Sequence, residues 1–317
     1  LQKLSLETAF EAYFHKKISF NDFLTLDIDS NYTEVFHSKK TYSPSKKLKM
    51  IQQFLNHFII SFMAINENVA FAYRPNISVY DAVYPHRTNK YFYTTDIKSF
   101  FTSINQHKIR KVFEENILNY KIEKSDILKY ENRILDIITY RDILPIGSPC
   151  SPKLSNAVLL EVDNEIKNYC DNNKIIFTRY SDDFIFSSNE KELLVNMKEN
   201  IKLLLEKNDF TLNEKKDKIQ RLGSSSRVKI LGLIIAPKGL ITLDKSLKSN
   251  LEIALYFYLN DKDRFHDFLN DRFDNKIERL YGIVSYINEI DKNYLLKLRK
   301  KYGNYIIDSF FHRELNV

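Results

Sequence analysis

Between Lys46 and Asn66 the apolar residues Leu48, Ile51, Phe54, Leu55, Phe58 and Ile59 recur every three or four positions, which predicts an amphipathic helix. Pro44 stands just ahead of it, where a proline is tolerated. Residues 1 to about 35 read as one or two helices running into a polar linker. Ala72 to Asn76 reads as a loop, followed by a short helix over Ser78 to Val83. Lys90 to Thr95 is rich in aromatic and β-branched residues and reads as a strand that delivers Asp96 at its end. A helix follows from about Gln106 to Glu115. Another begins near Pro152 with Ser151 as N-cap and keeps Leu154, Ala157, Val158, Val162 and Ile166 on one face.

The runs Ile175-Ile176-Phe177 and Phe184-Ile185-Phe186 read as the two strands of a hairpin, with Tyr180-Ser181-Asp182-Asp183 at its tip. A helix from about Glu190 to Lys207 comes next, then Phe210 to Asn213 and the turn Gly223 to Ser226. Val228 to Ala236 and Leu240 to Leu243, around Pro237-Lys238-Gly239, predict a second hairpin. From Lys245 the pattern is helical to the end. Helical N-terminus, β-rich centre and helical C-terminus make the fold class α+β, not an alternating βαβ chain.

Adjacent carboxylates at a hairpin tip repel each other and compete with the backbone for hydrogen bonds. They make chemical sense where divalent cations neutralise them, as in sites that join nucleotides with two metals. The alternative is a pair of turn aspartates.

Composition narrows the field further. The chain has 317 residues, 44% hydrophobic and 28% charged, which is a folded and not a disordered composition. No apolar run approaches the ~18 residues of a membrane span, so no membrane is expected. The acidic first stretch, without a small-residue cleavage site, does not read as a signal peptide. Cys150 and Cys170 are the two cysteines and form no CxxC pair, so neither a disulfide framework nor a structural zinc is expected, and a cytoplasmic location is. A net charge of +7 favours a polyanionic partner, and 20 tyrosines with 23 phenylalanines suit stacking on bases. An AT-rich coding sequence would give the same bias.

Five segments in order resemble the motifs of a reverse transcriptase. Asp96-Ile97-Lys98-Ser99-Phe100-Phe101 resembles the first palm motif, and Leu144 to Pro152 the Pro-x-Gly-x-x-x-Ser-Pro loop. Tyr180 to Asp183 resembles the metal hairpin, Leu212 to Lys216 the following Lys motif, and Ile230-Leu231-Gly232-Leu233 the primer-grip hairpin. Within the family the chain resembles the bacterial retron and phage-defence branch, through Pro44 with Leu48 to Gln52, Asp81 to His86, and Leu280 to Ile287. Asp81 stands there for Asn, with one extra residue before His86. Ile146 stands where most reverse transcriptases carry Gln, and Leu231-Gly232 where retron enzymes have Val-Thr-Gly.

The resemblance implies a right-hand polymerase: N-terminal helices and fingers over 1–89, a palm over 90–244 with a fingers-side insertion around 106–150, and a helical thumb over 245–317. It implies RNA-directed DNA synthesis from dNTPs with two Mg²⁺ ions, for which Mn²⁺ could substitute, held by Asp96, Asp182, Asp183 and the carbonyl of Ile97. Phe101 would bar a 2′-hydroxyl, or is plain core. Lys39, Lys40 and Arg74 would grip the triphosphate, or are solvated charges. Ile146, Gly147 and Tyr180 would border the nucleotide, Gly147 by close backbone approach. Lys216 would protonate the leaving pyrophosphate, with Lys215 and Lys218 equal rivals on spacing. Leu231, Gly232, Lys297, Arg299, Lys300 and Lys301 would contact nucleic acid. The implied partners are a noncoding RNA template, the DNA product and an accessory or effector protein in an antiphage system. At this length no RNase H or endonuclease domain is expected. Template-independent or protein-primed synthesis, an RNA-dependent RNA polymerase, and an inactive nucleic-acid-binding scaffold are the alternatives.

Overall fold

Side-chain caps set the first helical starts. Ser5 Oγ accepts from the Thr8 N–H at 3.1 Å to open α1 (Leu6–Phe14), and Ser19 with Asp22 forms a reciprocal capping box at α2 (Phe20–Thr25). The computed structural model describes residues 3–36, 40–274 and 276–313. The chain divides into two compact units, one of residues 1–82 and 93–219, the other of 83–92 and 220–317.

In the first unit the polar stretch after α2 is a two-stranded antiparallel sheet of β1 (Tyr32–Phe36) and β2 (Lys40–Pro44), where the pattern predicts a linker. The cause is tertiary. Tyr32 is buried against Tyr140 and also accepts from Gln52 Nε2 at 2.7 Å. Ser45 caps α3 (Lys46–Phe58), whose apolar stripe Leu48, Ile51, Phe54 and Leu55 is buried. Phe54 meets Phe10 at 5.0 Å, joining α3 to α1 through an aromatic cluster. After α4 (Val79–Val83) come β3 (Tyr91–Asp96), α5 (Gln106–Asn116) and α6 (Lys124–Ile138). The predicted helix from Pro152 is two helices, α7 (Ser151–Val158) and α8 (Leu160–Asn172), broken at Leu159. Ser151 is the first helical residue, not the cap. Its hydroxyl turns back to the Pro145 carbonyl at 2.7 Å.

β4 (Ile176–Tyr180) and β5 (Asp183–Ser188) form the predicted hairpin, followed by α9 (Lys191–Lys207) and β6 (Lys218–Arg221). The sheet order is β4-β5-β3-β6. Its faces bury Phe92, Tyr93, Phe177, Phe184 and Phe186, with Phe177 stacked on Phe186 at 4.9 Å. Because α8 and α9 pack on β4 and β5, these strands read as continuous apolar runs and not as alternating ones.

The second unit opens with a meander of β7 (Val228–Ile230), β8 (Leu233–Ala236) and β9 (Leu240–Leu243). Val228 to Ala236 is therefore two strands, not one, because Leu231 (φ 50°) and Gly232 (φ 83°) make a two-residue turn that pairs Ile230 with Leu233. Helices α10 (Lys245–Asn260), α11 (Lys262–Phe273), α12 (Ile277–Ile290), α13 (Lys292–Tyr302) and α14 (Asn304–His312) complete it. Asp244, Asp261 and Asp291 cap α10, α11 and α13. Among the described residues no helix is long and apolar enough to cross a membrane.

Candidate active site

The Asp-Asp hairpin is held at its tip from two sides. Tyr180 pairs with Asp183, so Ser181 and Asp182 form a two-residue turn, and Ser181 adopts the left-handed conformation at φ 60°. That backbone state costs a side-chain-bearing residue roughly 1–2 kcal/mol and persists only where neighbours fix it. Here Nη1 of Arg179 donates to the Ser181 carbonyl at 2.7 Å, and the Ser181 and Tyr73 hydroxyls are 2.8 Å apart. On the other side the Ile97 N–H donates to the Asp182 carbonyl at 3.2 Å. The hairpin tip is thereby tied to the end of β3.

That same strand end carries Asp96, which is 2% exposed. Its carbonyl accepts from the Asn213 N–H at 2.9 Å, and Lys98 donates to the Thr211 carbonyl at 2.8 Å. These bonds bring the 211–216 segment alongside and place Lys216 on Asp96, where its ammonium donates to Oδ2. One residue before Asp96 and one after Lys216, the Thr95 hydroxyl donates to Asp217 at 2.5 Å, a second clasp between the same segments. The hydrogen bond to Asp96 raises the Lys216 pKa above the ordinary lysine value, with Asp96, Asp183 and Asp182 adding in the same direction. Among the three lysine candidates, Lys216 alone is ion-paired with Asp96. Lys215 and Lys218 are exposed.

Asp96, Ile97, Phe101, Ile146, Asp182 and Lys216 all line one cleft of about 410 Å³, a size that suits a small-molecule ligand. After Asp96 the chain turns through a 3-10 segment, Phe100–Ser103, which separates the two phenylalanines. Phe100 goes into the core at 3% exposure, and Phe101 is half-buried on the cleft wall.

Other sequence-selected residues sit elsewhere. Asp183 and Tyr180 are half-buried in the hairpin and are not among the cleft-lining residues. Gly147 has φ 113°, and a Cβ there would lie 2.5 Å from the Tyr42 carbonyl oxygen. Its close approach in this structure is to the backbone of β2, where the Tyr42 N–H also donates to the Ile146 carbonyl at 3.0 Å. Arg74 is not drawn to the cleft. Its guanidinium holds the Glu67 and Ala70 carbonyls at 2.7 and 3.0 Å and the Glu67 carboxylate at 3.2 Å. Lys39 lies outside the described residues, as does the side chain of Lys40.

In the second unit Leu231 and Gly232 form the β7-β8 turn. Arg299 pairs with Asp308 at 2.7 Å and Lys301 with Glu252 at 2.6 Å, whereas Lys297 and Lys300 are exposed on α13. Half of that basic stretch is therefore balanced by acidic neighbours.

Among the described residues no three His, Cys, Asp or Glu side chains converge as a ready metal cluster. The cleft nevertheless suits a hard cation. Asp96 Oδ1 is buried and has no hydrogen-bond partner among the described residues, and its other oxygen already carries the Lys216 cation. A buried carboxylate oxygen without a donor is costly unless a positive ligand completes it.

Sequence reading missed the groups that hold the turn: Arg179, Asp163, Asn156 and Tyr73. The signal was present in part. Arg179 interrupts an apolar strand and Asp163 follows Val162 on a buried helix face, and charges in such positions are paired.

A palm-like antiparallel sheet with an aspartate at a strand end, an Asp-Asp hairpin against it and a lysine closing the cleft define a right-hand nucleotidyl polymerase. The model of the family "Reverse transcriptase (RNA-dependent DNA polymerase)" matches residues 37–235, and the chain belongs to that family. Its relatives include the retron Ec73 reverse transcriptase of Escherichia coli, 31% identical over 273 residues and covering 82% of each chain. The retron Ec86 reverse transcriptase of the same organism is 26% identical over 83% of this chain and 77% of its own. Among solved structures, telomerase from Candida albicans with a fragment of telomeric RNA aligns over 100% of this chain and 68% of that one, at TM-score 0.51 and 11% identity. That likeness shows the right-hand fold. The chain is a retron-like reverse transcriptase.

Proposed function

We propose that this cleft makes DNA from dNTPs on a dedicated noncoding RNA by two-metal nucleotidyl transfer, in a bacterial antiphage system. The observation that carries the chemistry is the convergence of Asp96, Asp182, Phe101 and Lys216 on one cleft, with Asp96 Oδ1 left without a donor. Asp96 and Asp182 would hold the Mg²⁺ ions with the carbonyl of Ile97, and Asp183 would support the cluster through its charge. Mn²⁺ suits the same oxygen donors. Bound there, the metal supplies a more acidic 3′-hydroxyl and charge neutralisation for the leaving pyrophosphate.

The remaining work falls to the chain's own side chains. Lys216, now held on Asp96, would give its proton to the leaving pyrophosphate oxygen, a general-acid role. Phe101 fills the space a 2′-hydroxyl would need and so selects dNTPs. Ile146 offers hydrocarbon to the incoming nucleotide. Lys297 and Lys300, the exposed cations of α13, contact phosphates, which position a duplex without reading its sequence.

The test is primer extension on RNA with each dNTP and each rNTP, by wild type and by Asp182→Asn. Metal-dependent dNTP incorporation in wild type alone supports the reading; equal incorporation by both proteins contradicts it. For the biological role, phage plating on cells carrying the native locus should rise to the unprotected level with Asp182→Ala.

A further inference from the structure

Arg179 is fully buried in β4, and its guanidinium is committed in three directions. Nε and Nη2 form a fork on Asp163 of α8 at 2.7 and 2.6 Å. Nη1 donates both to Oδ1 of Asn156 on α7, at 3.0 Å, and to the Ser181 carbonyl, at 2.7 Å. Asn156 in turn donates through Nδ2 to the Ala72 carbonyl at 2.8 Å. The backbone of Arg179 is gripped as well: its N–H donates to the Val69 carbonyl at 2.7 Å, and its carbonyl accepts from Phe71 at 2.9 Å. Two helices thus converge on one guanidinium, and the segment before Tyr73 holds the backbone of the same residue and Asn156. Its outward bond lands on the turn that carries Asp182.

A buried ion pair is weak evidence of stabilisation, because apolar residues of similar shape often serve the core as well. What apolar residues could not supply is the directed bond to Ser181. The Ser181 and Asp182 carbonyls are held by different donors, Arg179 on one and Ile97 on the other. Two anchored peptide planes fix the orientation of the residue they share, which is Asp182. The geometry points to Arg179, held by Asp163 and Asn156, as the positioning residue that aims the Asp182 carboxylate into the cleft. This inference rests on the metal-site reading of the cleft given above. Lysine cannot take the role, because a single ammonium has neither the planar fork nor the reach to satisfy Asp163, Asn156 and Ser181 together.

The test uses two variants. Asp163→Asn/Arg179→Gln removes both buried charges together, so neither is stranded, and Arg179→Lys keeps the charge pair but loses the fork. Thermal unfolding identifies the folded variants, and Mn²⁺ binding to nucleotide-free protein is read by electron paramagnetic resonance of the free ion. Primer extension then gives kcat and KM. In folded variants the half-saturating Mn²⁺ concentration should rise about 10–100-fold and kcat fall by a similar factor, as when supports of metal ligands are removed. The dNTP KM and primer–template affinity should change by no more than about twofold, because those contacts are untouched. If the double variant does not fold, Arg179→Lys decides by the same readouts. Mn²⁺ binding and kcat at wild-type values in a folded variant overturn the inference while leaving the proposed function intact. Wild type that neither binds Mn²⁺ nor extends a primer overturns both.

Discussion

The ammonium of Lys216 rests on the carboxylate of Asp96, so the buried aspartate at the end of β3 already carries a cation. The lysine and the proposed divalent ion compete for the same carboxylate. Lys216→Gln should therefore lower the Mn²⁺ concentration that half-saturates the free enzyme by about threefold or more, by removing a competing charge. The same change should reduce kcat by about 10²–10⁴, the usual value of a general acid. Binding assays and single-turnover extension read the two effects, which run in opposite directions. Weaker metal binding with unchanged kcat would contradict both roles.

The same pair gives a pH dependence at the alkaline end. The Lys216 pKa is raised in the folded state by Asp96, so its stabilisation is complete below the ordinary lysine value of 10.5 and fades as pH rises through the folded value. Lys216 is 58% exposed, so the contribution is within about 1 kcal/mol. Urea unfolding of wild type and Lys216→Met should differ slightly at neutral pH and converge above the lysine range.

Asp244 gives the acid counterpart. Its carboxyl is held down to about 2 by the Lys229 ammonium and by the Ser246 N–H that it caps. A depressed folded value means that the stabilisation is present above the ordinary carboxylate range and lost as pH falls from about 4 through about 2. Asp244→Ala should lower Tm at pH 7, with the gap closing through that acid window. A gap that persists at the acid end would assign the effect to something other than the charge.

Gly147 is a backbone requirement. With φ 113° and a Cβ placed 2.5 Å from the Tyr42 carbonyl oxygen, Gly147→Ala must both strain the turn and push β2 away. A loss of roughly 2–4 kcal/mol in urea unfolding is expected from those two terms together. Because Ile146 on the cleft wall is bonded to the same strand, dNTP KM should also rise. An unchanged midpoint would show that β2 yields at no cost.

Phe101 is the proposed gate between DNA and RNA synthesis. Phe101→Val shortens the side chain on the cleft wall without disturbing Phe100 in the core. The ratio of kcat/KM for dNTP over rNTP should fall by tenfold or more, within the range that a few methylene-sized contacts supply. A ratio unchanged from wild type would return Phe101 to the core and leave sugar selection to another group.

The sequence made the hairpin of β4 and β5, strand β3 and the helices α3, α5 and α9 legible because each carries its own periodicity or flanking turn chemistry. Asp96, Asp182 and Phe101 line one cleft, as the motif spacing suggested, whereas Asp183 does not line it. Strands β1 and β2 were not legible, since their polar pattern is overridden by Tyr32 packing on Tyr140 and bonding to Gln52. Helix α6 was not predicted: its buried residues, Ile127 and then Ile134, Leu135, Ile137 and Ile138, crowd its C-terminal half and show the helical period over only part of its length. Arg74 shows a third limit of the pattern. Charge and position made it a candidate for the triphosphate, but whether a guanidinium is free or spent on nearby carbonyls is decided by chain geometry, and here it is spent on Glu67 and Ala70.

The most direct measurement is to sequence the nucleic acid that co-purifies with the protein expressed from its native locus, for wild type and for Asp182→Ala/Asp183→Ala. DNA complementary to a co-purified RNA, present with wild type and absent from the double variant, is the predicted result. It would establish RNA-templated synthesis at this cleft and identify the template. DNA of low complexity matching no RNA, or the same nucleic acid bound to both proteins, would contradict the account.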